Sequence, residues 1–213
     1  PGKNVALVGG KPLIIWTIRA VKKSNMVDQI ILSTDSEKYR LICQDYGIDS
    51  PFLRPIKFSD DQANSADVVK HALIWLKENK GYQPDYILYL QPTSPLRSTQ
   101  DINESIKIAL ENNADSVVSV ELANKHPYFM KRINQSGQIN HYLDLKSPTP
   151  RRQDLEKLYV LNGAIFLVKT ELILRGSWYG ERSYSYIMPP ERSLEIDTPF
   201  EMLVADLLLR NNN

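Results

Sequence analysis

Tyr86-Ile87-Leu88-Tyr89-Leu90 is an unbroken apolar run that reads as a buried strand, and Thr99 to Glu111 reads as a helix. Between them lies Gln91-Pro92-Thr93-Ser94-Pro95-Leu96-Arg97. A strand handing over to a helix through so short a connection is the signature of an α/β layer, and in open α/β sheets ligands bind at the carboxyl ends of strands. Pro92 and Pro95 stiffen the connection and remove two backbone donors. Gln91, Thr93, Ser94 and Arg97 leave it polar enough to hold a sugar or a phosphate. Taken alone, the segment equally suits a rigid structural link.

The same alternation runs through most of the chain. Pro12 opens a helix with Leu13, Ile14, Thr17, Ile18 and Val21 on one face, ending at Lys23. Gln29 to Ser33 reads as a buried strand, with Thr34-Asp35-Ser36 as the turn and N-cap of a helix from Glu37 to Tyr46 that Gly47 stops. The stretch from Asp49 to Ser59 is irregular. Ser65 or Asp67 caps a helix with Val68, Val69, Ala72, Leu73 and Leu76 on its apolar side. Asp115 to Val120 and Tyr159 to Val168 are further strands, the second interrupted by Asn162-Gly163, where a glycine implies a bulge or a close approach. Thr198 to Leu209 is a terminal helix, apolar at Met202, Leu203, Ala205 and Leu208. Strands and helices of these lengths predict an α/β fold with a mainly parallel sheet and flanking helices. Residues 121–158 break the alternation. Tyr128 to Ile133 and Ile139 to Leu143 around Ser136-Gly137 predict a β-hairpin, so this region reads as an insertion serving as a lid or an interface within one domain spanning 1–213. A doubly wound domain needs a first strand and a phosphate-facing loop, and both are expected upstream of Pro1-Gly2-Lys3-Asn4.

Composition narrows the function classes. Apolar residues make up 42% of the 213, enough for a substantial core. The net charge of +1, with lysines and arginines scattered, gives no global case for nucleic acid or membrane partners. No apolar stretch approaches membrane-spanning length. Cys43 is the only cysteine, which excludes an intramolecular disulfide and fits a reducing cytoplasm.

Glu195-Ile196-Asp197 places two carboxylates two residues apart, on one side of an extended segment. That is a mount for a hard divalent cation such as Mg²⁺, although Asp197 or Thr198 also suits a plain helix cap. Arg54, Arg97, Arg151 and Arg152 sit in loops among prolines, where guanidinium forks bind carboxylates and phosphates. Asp60-Asp61 is a second acidic pair. His71, His126 and His141 share no metal-ligand spacing.

Lys3-Asn4, Gly9-Gly10-Lys11-Pro12-Leu13-Ile14, Ser33-Thr34-Asp35, Arg54-Pro55, the Gln91–Arg97 loop, Asn162-Gly163-Ala164-Ile165-Phe166 and Ser193 to Thr198 occur in an order and spacing that resembles the acylneuraminate cytidylyltransferase family. These are the CMP-sialic acid synthetases and relatives such as CMP-legionaminic acid synthetase. The resemblance implies a Rossmann-like nucleotidyltransferase fold and a homodimer whose insertion reaches the neighbouring active site. It implies transfer of CMP from CTP to the anomeric hydroxyl of a nonulosonic acid, with pyrophosphate released and Mg²⁺ or Mn²⁺ as cofactor. Carried over by position, Lys3, Asn4, Arg54, Ala63 and Ser65 would contact the nucleotide. Gln91, Thr93, Ser94, Arg152 (or Arg151, one register away), Asn162, Phe166, Trp178 and Tyr179 would contact the sugar. Glu195 and Asp197 would hold metal, with Lys3 and Asp197 in the catalytic part. The family has aspartate where this chain has Glu195, and an A-R-x-x-S-K-G triphosphate loop is expected before Pro1; without it, little catalysis is expected. A sugar-phosphate nucleotidyltransferase using another nucleotide, or a non-catalytic nucleotide-sugar binding module, are the alternatives.

Overall fold

The computed structural model describes residues 2–59, 64–143 and 151–210. In chain order these form β1 (Leu7–Val8), β2 (Lys11–Pro12), α1 (Leu13–Lys22), α2 (Glu37–Gln44), α3 (Ser65–Lys80), β3 (Tyr86–Tyr89), α4 (Thr99–Glu111), β4 (Ser116–Leu122), β5 (Lys131–Ile133), β6 (Ile139–His141), β7 (Tyr159–Lys169), α5 (Thr170–Leu174), β8 (Ser183–Ile187) and α6 (Pro199–Arg210).

The central sheet has the order β3-β7-β4-β8. Strand β7 is antiparallel to both β3 and β4, and only β4 and β8 pair in parallel. The α/β expectation stands, but the sheet is mixed and not mainly parallel. The cause lies in the connection. A parallel return needs a crossover, usually helical. Between β4 and β7 the chain instead runs through the β5–β6 hairpin, so β7 comes back antiparallel.

Alternation along β7 sets the layers. Ile165 and Leu167 face α1 and α4, meeting Ala20, Val21, Ile102 and Ala109. Phe166 and Val168 face α3 and α5, meeting Val69, Leu73 and Ile173. Helices therefore cover both faces of the sheet. Helix α6 closes one end, burying Ala205 and Leu209 against Val8, Leu13 and Ile196.

Several local expectations are corrected. Gln29 to Ser33 forms no continuous strand; single parallel bridges join Ile31 to Asp49 and Thr34 to Leu53. Pro51 lies inside the partner segment and has no N–H to extend the ladder. Asn64, not Ser65 or Asp67, caps α3, its side chain accepting from the Ala66 amide. Pro127–Phe129 is a 3₁₀ turn, which shortens the first hairpin strand to Lys131–Ile133. In α6 the inward residues are Ala205 and Leu209, whereas Leu203 and Leu208 face solvent.

Candidate active site

The Asn162-Gly163 interruption builds the centre of the site. Val118 faces Phe166 but Val120 faces Leu161, so β7 bulges between those pairs. A bulge strands backbone groups that need partners. Ser119 supplies one, its hydroxyl accepting from the Ile165 amide at 2.7 Å and donating to Asn162 Oδ1 at 2.6 Å. Asn162 Oδ1 also accepts from the Ala164 amide, and Nδ2 donates to Ser193 Oγ at 3.0 Å. Asn162 is thus buried and its amide is committed to the bulge and to the segment bearing Glu195. Its side chain scaffolds the bulge that carries Gly163.

Gly163 has a φ of +68°, and a Cβ there would lie 2.5 Å from Oε1 of Glu195. The bulge therefore presents bare backbone to a half-buried carboxylate. Residues 193–197 form no strand, contrary to the strand-like reading. One hydrogen bond, from the Ile196 amide to the Thr93 carbonyl at 2.8 Å, lays the segment along the loop after β3. Lys3 joins from the other side: Nζ donates to the Ile196 carbonyl at 2.8 Å and lies 3.4 Å from Asp197 Oδ1. Burial and the charge of Asp197 push the Glu195 carboxyl above its ordinary range, against the pull of Lys3. Lys3, Glu195, Asp197 and the Gln91–Ser94 loop are therefore one neighbourhood.

Within that loop the Thr93 and Ser94 hydroxyls are buried and lack hydrogen-bond partners among the described residues. No hydrogen bond to another described residue engages the Gln91 side-chain amide. Arg97 differs from its sequence reading as a phosphate-binding loop arginine. It is 3% exposed and turned inward.

A second group lies at the end of β3 on the α3 side. Tyr89, Phe166 and Trp178 pack together with centroids 5.2–6.3 Å apart. Burial raises the Tyr89 hydroxyl, and the nearby charge of Arg54 opposes that shift. Arg54 is held by Asp35 at 3.4 Å and donates from Nε to Ser59 Oγ at 3.0 Å, which joins the Ser33–Asp35 and Arg54-Pro55 motifs. Tyr179 is exposed and outside this aromatic group. Asn4 is half-buried beside Lys3, and Ser65 is the first residue of α3. Ala63, Asp60 and Asp61 lie outside the described residues. Arg151 is exposed, and the Arg152 side chain is not described. Among the described residues no three His, Cys, Asp or Glu side chains form a metal-binding cluster, and no helix is long and apolar enough to cross a membrane.

Sequence reasoning missed the part played by Asp101, which is fully buried at the start of α4. It closes a capping box with Ser98 and receives Arg192 at 2.8 Å and the Tyr186 hydroxyl at 2.8 Å. The Ser98-x-x-Asp101 spacing is the readable signal, since a capping box has that form. Arg192 stands just before the Glu195 segment.

The cytidylyltransferase family model matches residues 1–187. The N-acylneuraminate cytidylyltransferase of Streptococcus agalactiae serotype V is 39% identical over 203 residues, which cover 93% of this chain and 47% of that protein. The N-acylneuraminate cytidylyltransferase of Escherichia coli O18:K1:H7 is 33% identical, over 99% of this chain and 49% of its own. The chain thus spans about half the length of these curated relatives. A CMP-N,N'-diacetyllegionaminic acid synthase of Legionella pneumophila is 32% identical over all of this chain and 91% of its own. Among solved structures, a CMP:2-keto-3-deoxy-manno-octonic acid synthetase complexed with CTP superposes with a TM-score of 0.70 at 15% identity, covering 100% of this chain and 93% of that one. A 4-diphosphocytidyl-2C-methyl-D-erythritol synthase reaches 0.71 at 16% identity, covering 98% and 94%. The two structures establish the nucleotidyltransferase fold.

Proposed function

Because this chain belongs to the cytidylyltransferase family, we propose that it transfers CMP from CTP to the anomeric hydroxyl of a nonulosonic, sialic acid-like sugar and releases pyrophosphate. The observation that carries the reading is the meeting of the Gln91–Ser94 loop with Lys3, Glu195 and Asp197. It brings the Gln91 side-chain amide, for a polyhydroxylated acceptor, beside a lysine suited to a triphosphate and two carboxylates that would meet it through a divalent cation. In the reaction the acceptor oxygen attacks the α-phosphorus, its proton is lost, and the bond to pyrophosphate breaks. Lys3 would neutralise phosphate charge as it develops.

Glu195 and Asp197 fit a divalent cation. The burial and the Asp197 charge that raise the Glu195 carboxyl would be offset by a shared Mg²⁺ or Mn²⁺, which takes its other ligands from water and phosphate. When bound, that ion would supply charge neutralisation at the phosphates. Gln91 would hydrogen-bond the acceptor, with Thr93 and Ser94 beside it and Arg152 pairing with its carboxylate. Arg54, Asn4 and Ser65 would face the nucleotide, and Phe166 and Trp178 the sugar's acyl substituents. The chain would act as a cytoplasmic homodimer in cell-surface polysaccharide synthesis. Support for the dimer comes from the end of the β4–β7 ladder, where Leu122, Tyr159, Val160 and Leu161 are all exposed.

The test, run on the polypeptide as its gene encodes it, is pyrophosphate release from CTP and Mg²⁺ with sialic, legionaminic and pseudaminic acids. Turnover with at least one is expected; none with any of them overturns the reading. Gln91→Ala should raise the acceptor KM far more than the CTP KM, and an equal rise in both would remove Gln91 from the sugar site.

A further inference from the structure

Arg97 makes no ion pair among the described residues, yet it is buried. Removing a guanidinium from water costs several kcal/mol, and a carboxylate normally offsets that. Here carbonyls and a hydroxyl take the place of the carboxylate. Nη1 donates to the Gln91 carbonyl at 3.3 Å and to the Ala164 carbonyl. Nη2 donates to Thr17 Oγ1 at 2.7 Å and again to the Gln91 carbonyl at 3.4 Å. Thr17 Oγ1 itself reaches the Gln91 carbonyl at 3.5 Å, and the Ser94 amide approaches the same oxygen at 3.4 Å. Three side-chain donor atoms and one amide thus converge on one main-chain oxygen. Burial pushes the guanidinium down to about 9, with Asp101 opposing, so it keeps its charge at neutral pH.

We propose that Arg97 is a positioning residue for the acceptor sugar: its fork fixes the Gln91 peptide and ties it to β7 beside Gly163. The proposal rests on the reading of Gln91 as an acceptor contact. A carbonyl gripped from several directions fixes its peptide plane, and with it the direction in which the Gln91 side chain leaves the backbone. The bond to Ala164 has a second consequence. Ala164 follows Gly163, which faces Glu195, so one guanidinium sets the separation between the acceptor contact and the carboxylates. A lysine keeps the charge but cannot span Gln91, Ala164 and Thr17 with a planar fork.

The test compares Arg97→Lys, Gln91→Ala and the double variant in steady-state assays with both substrates. Arg97→Lys should raise the acceptor KM about tenfold, the equivalent of one charge-assisted hydrogen bond, and move the CTP KM by less than about twofold. In the Gln91→Ala background it should add nothing further, because residues acting through one another are not additive. Equal rises in both KM values, or additive effects, overturn the proposal. Should Arg97→Lys fail to fold, Thr17→Val removes one neutral partner and should give the same pattern more weakly. Amide hydrogen exchange without substrates gives an independent readout. Ser94 and Arg97 amides should exchange faster in Arg97→Lys while β4 is unchanged. Faster loop exchange with an unaltered acceptor KM overturns the positioning role alone. Absence of wild-type turnover with every acceptor overturns the proposed reaction and this inference together.

Discussion

At Gly163 the backbone sits in the left-handed region and a Cβ there would run into the Glu195 carboxylate, so the residue is constrained twice over. Gly163→Ala meets both constraints. The left-handed conformation costs an L-residue about 1–2 kcal/mol. The new methyl also displaces the Glu195 carboxylate, which can swing away because it is the end of a flexible side chain. Stability should therefore fall only modestly, by a few degrees in Tm. If the carboxylate serves the triphosphate, kcat/KM should fall about tenfold or more, and more Mg²⁺ should be needed for half-maximal rate. A melt and a Mg²⁺ titration of the same preparation read the two effects apart; an unchanged Mg²⁺ requirement would remove Glu195 from the metal site. Asn162 carries a different lesson. Its place in the strand was readable, but an amide in a motif reads alike whether it faces a ligand or satisfies a bulge. Its bonds to Ser119 and Ser193, neither of them near in sequence, are what show the second role.

Helix α4 shows how one residue couples an element to the site. Burial alone would raise the Asp101 carboxyl, but hydrogen bonds from Arg192, Ser98 and Tyr186 outweigh it and hold the group below its ordinary range. Burial, and then the hydrogen bond and charge of Asp101, push the Tyr186 hydroxyl up to about 12, against the pull of Arg192. A carboxylate depressed in the folded state stabilises it above the unfolded pKa, near 4, and that contribution is lost as pH falls through the folded pKa. Asp101→Asn should cost about 2 kcal/mol at pH 7, less than a fully buried pair because Arg192 reaches solvent. The gap between variant and wild type should narrow as pH falls below about 4, where the unfolded carboxyl begins to protonate; denaturant melts at successively lower pH check it, and a pH-independent gap would contradict the charge assignment. The bounds of α4 were legible because its capping box and apolar spacing are local properties. The direction of β7 was not. The hairpin among the 36 residues between β4 and β7 was legible, but a hairpin inserted between two strands does not by itself fix which way the chain re-enters the sheet; that is decided by pairing partners far apart in sequence. The pairing of Gln29 to Ser33 failed for a related reason: strand propensity is local, but a ladder needs a partner whose donors are intact.

At the scale of the whole molecule, the two ends of β7 sit in different surroundings. Its second half is covered by helices on both faces. Its first half, paired with the end of β4 as Leu122 to Tyr159 and Val120 to Leu161, projects beyond them. Successive strand residues point to opposite faces, so exposure of Tyr159, Val160 and Leu161 together means that neither face is covered. Ile133 and Ile139 in the adjoining insertion are more than two-thirds exposed as well. Exposed apolar side chains in such number are what the proposed homodimer would cover. Sedimentation equilibrium should give twice the chain mass at micromolar concentration. Leu161→Asp should shift the protein toward monomer, because the added carboxylate would be buried without a partner across the interface. The folded core should survive, since Leu161 lies outside every buried cluster, and circular dichroism would confirm that. If each active site draws a residue from the other copy's insertion, the monomeric variant should lose most turnover and regain none at high substrate concentration. If each site is complete in one chain, Leu161→Asp should turn over at near wild-type rate as a monomer. The two outcomes separate an interface that merely covers apolar surface from one that completes the site.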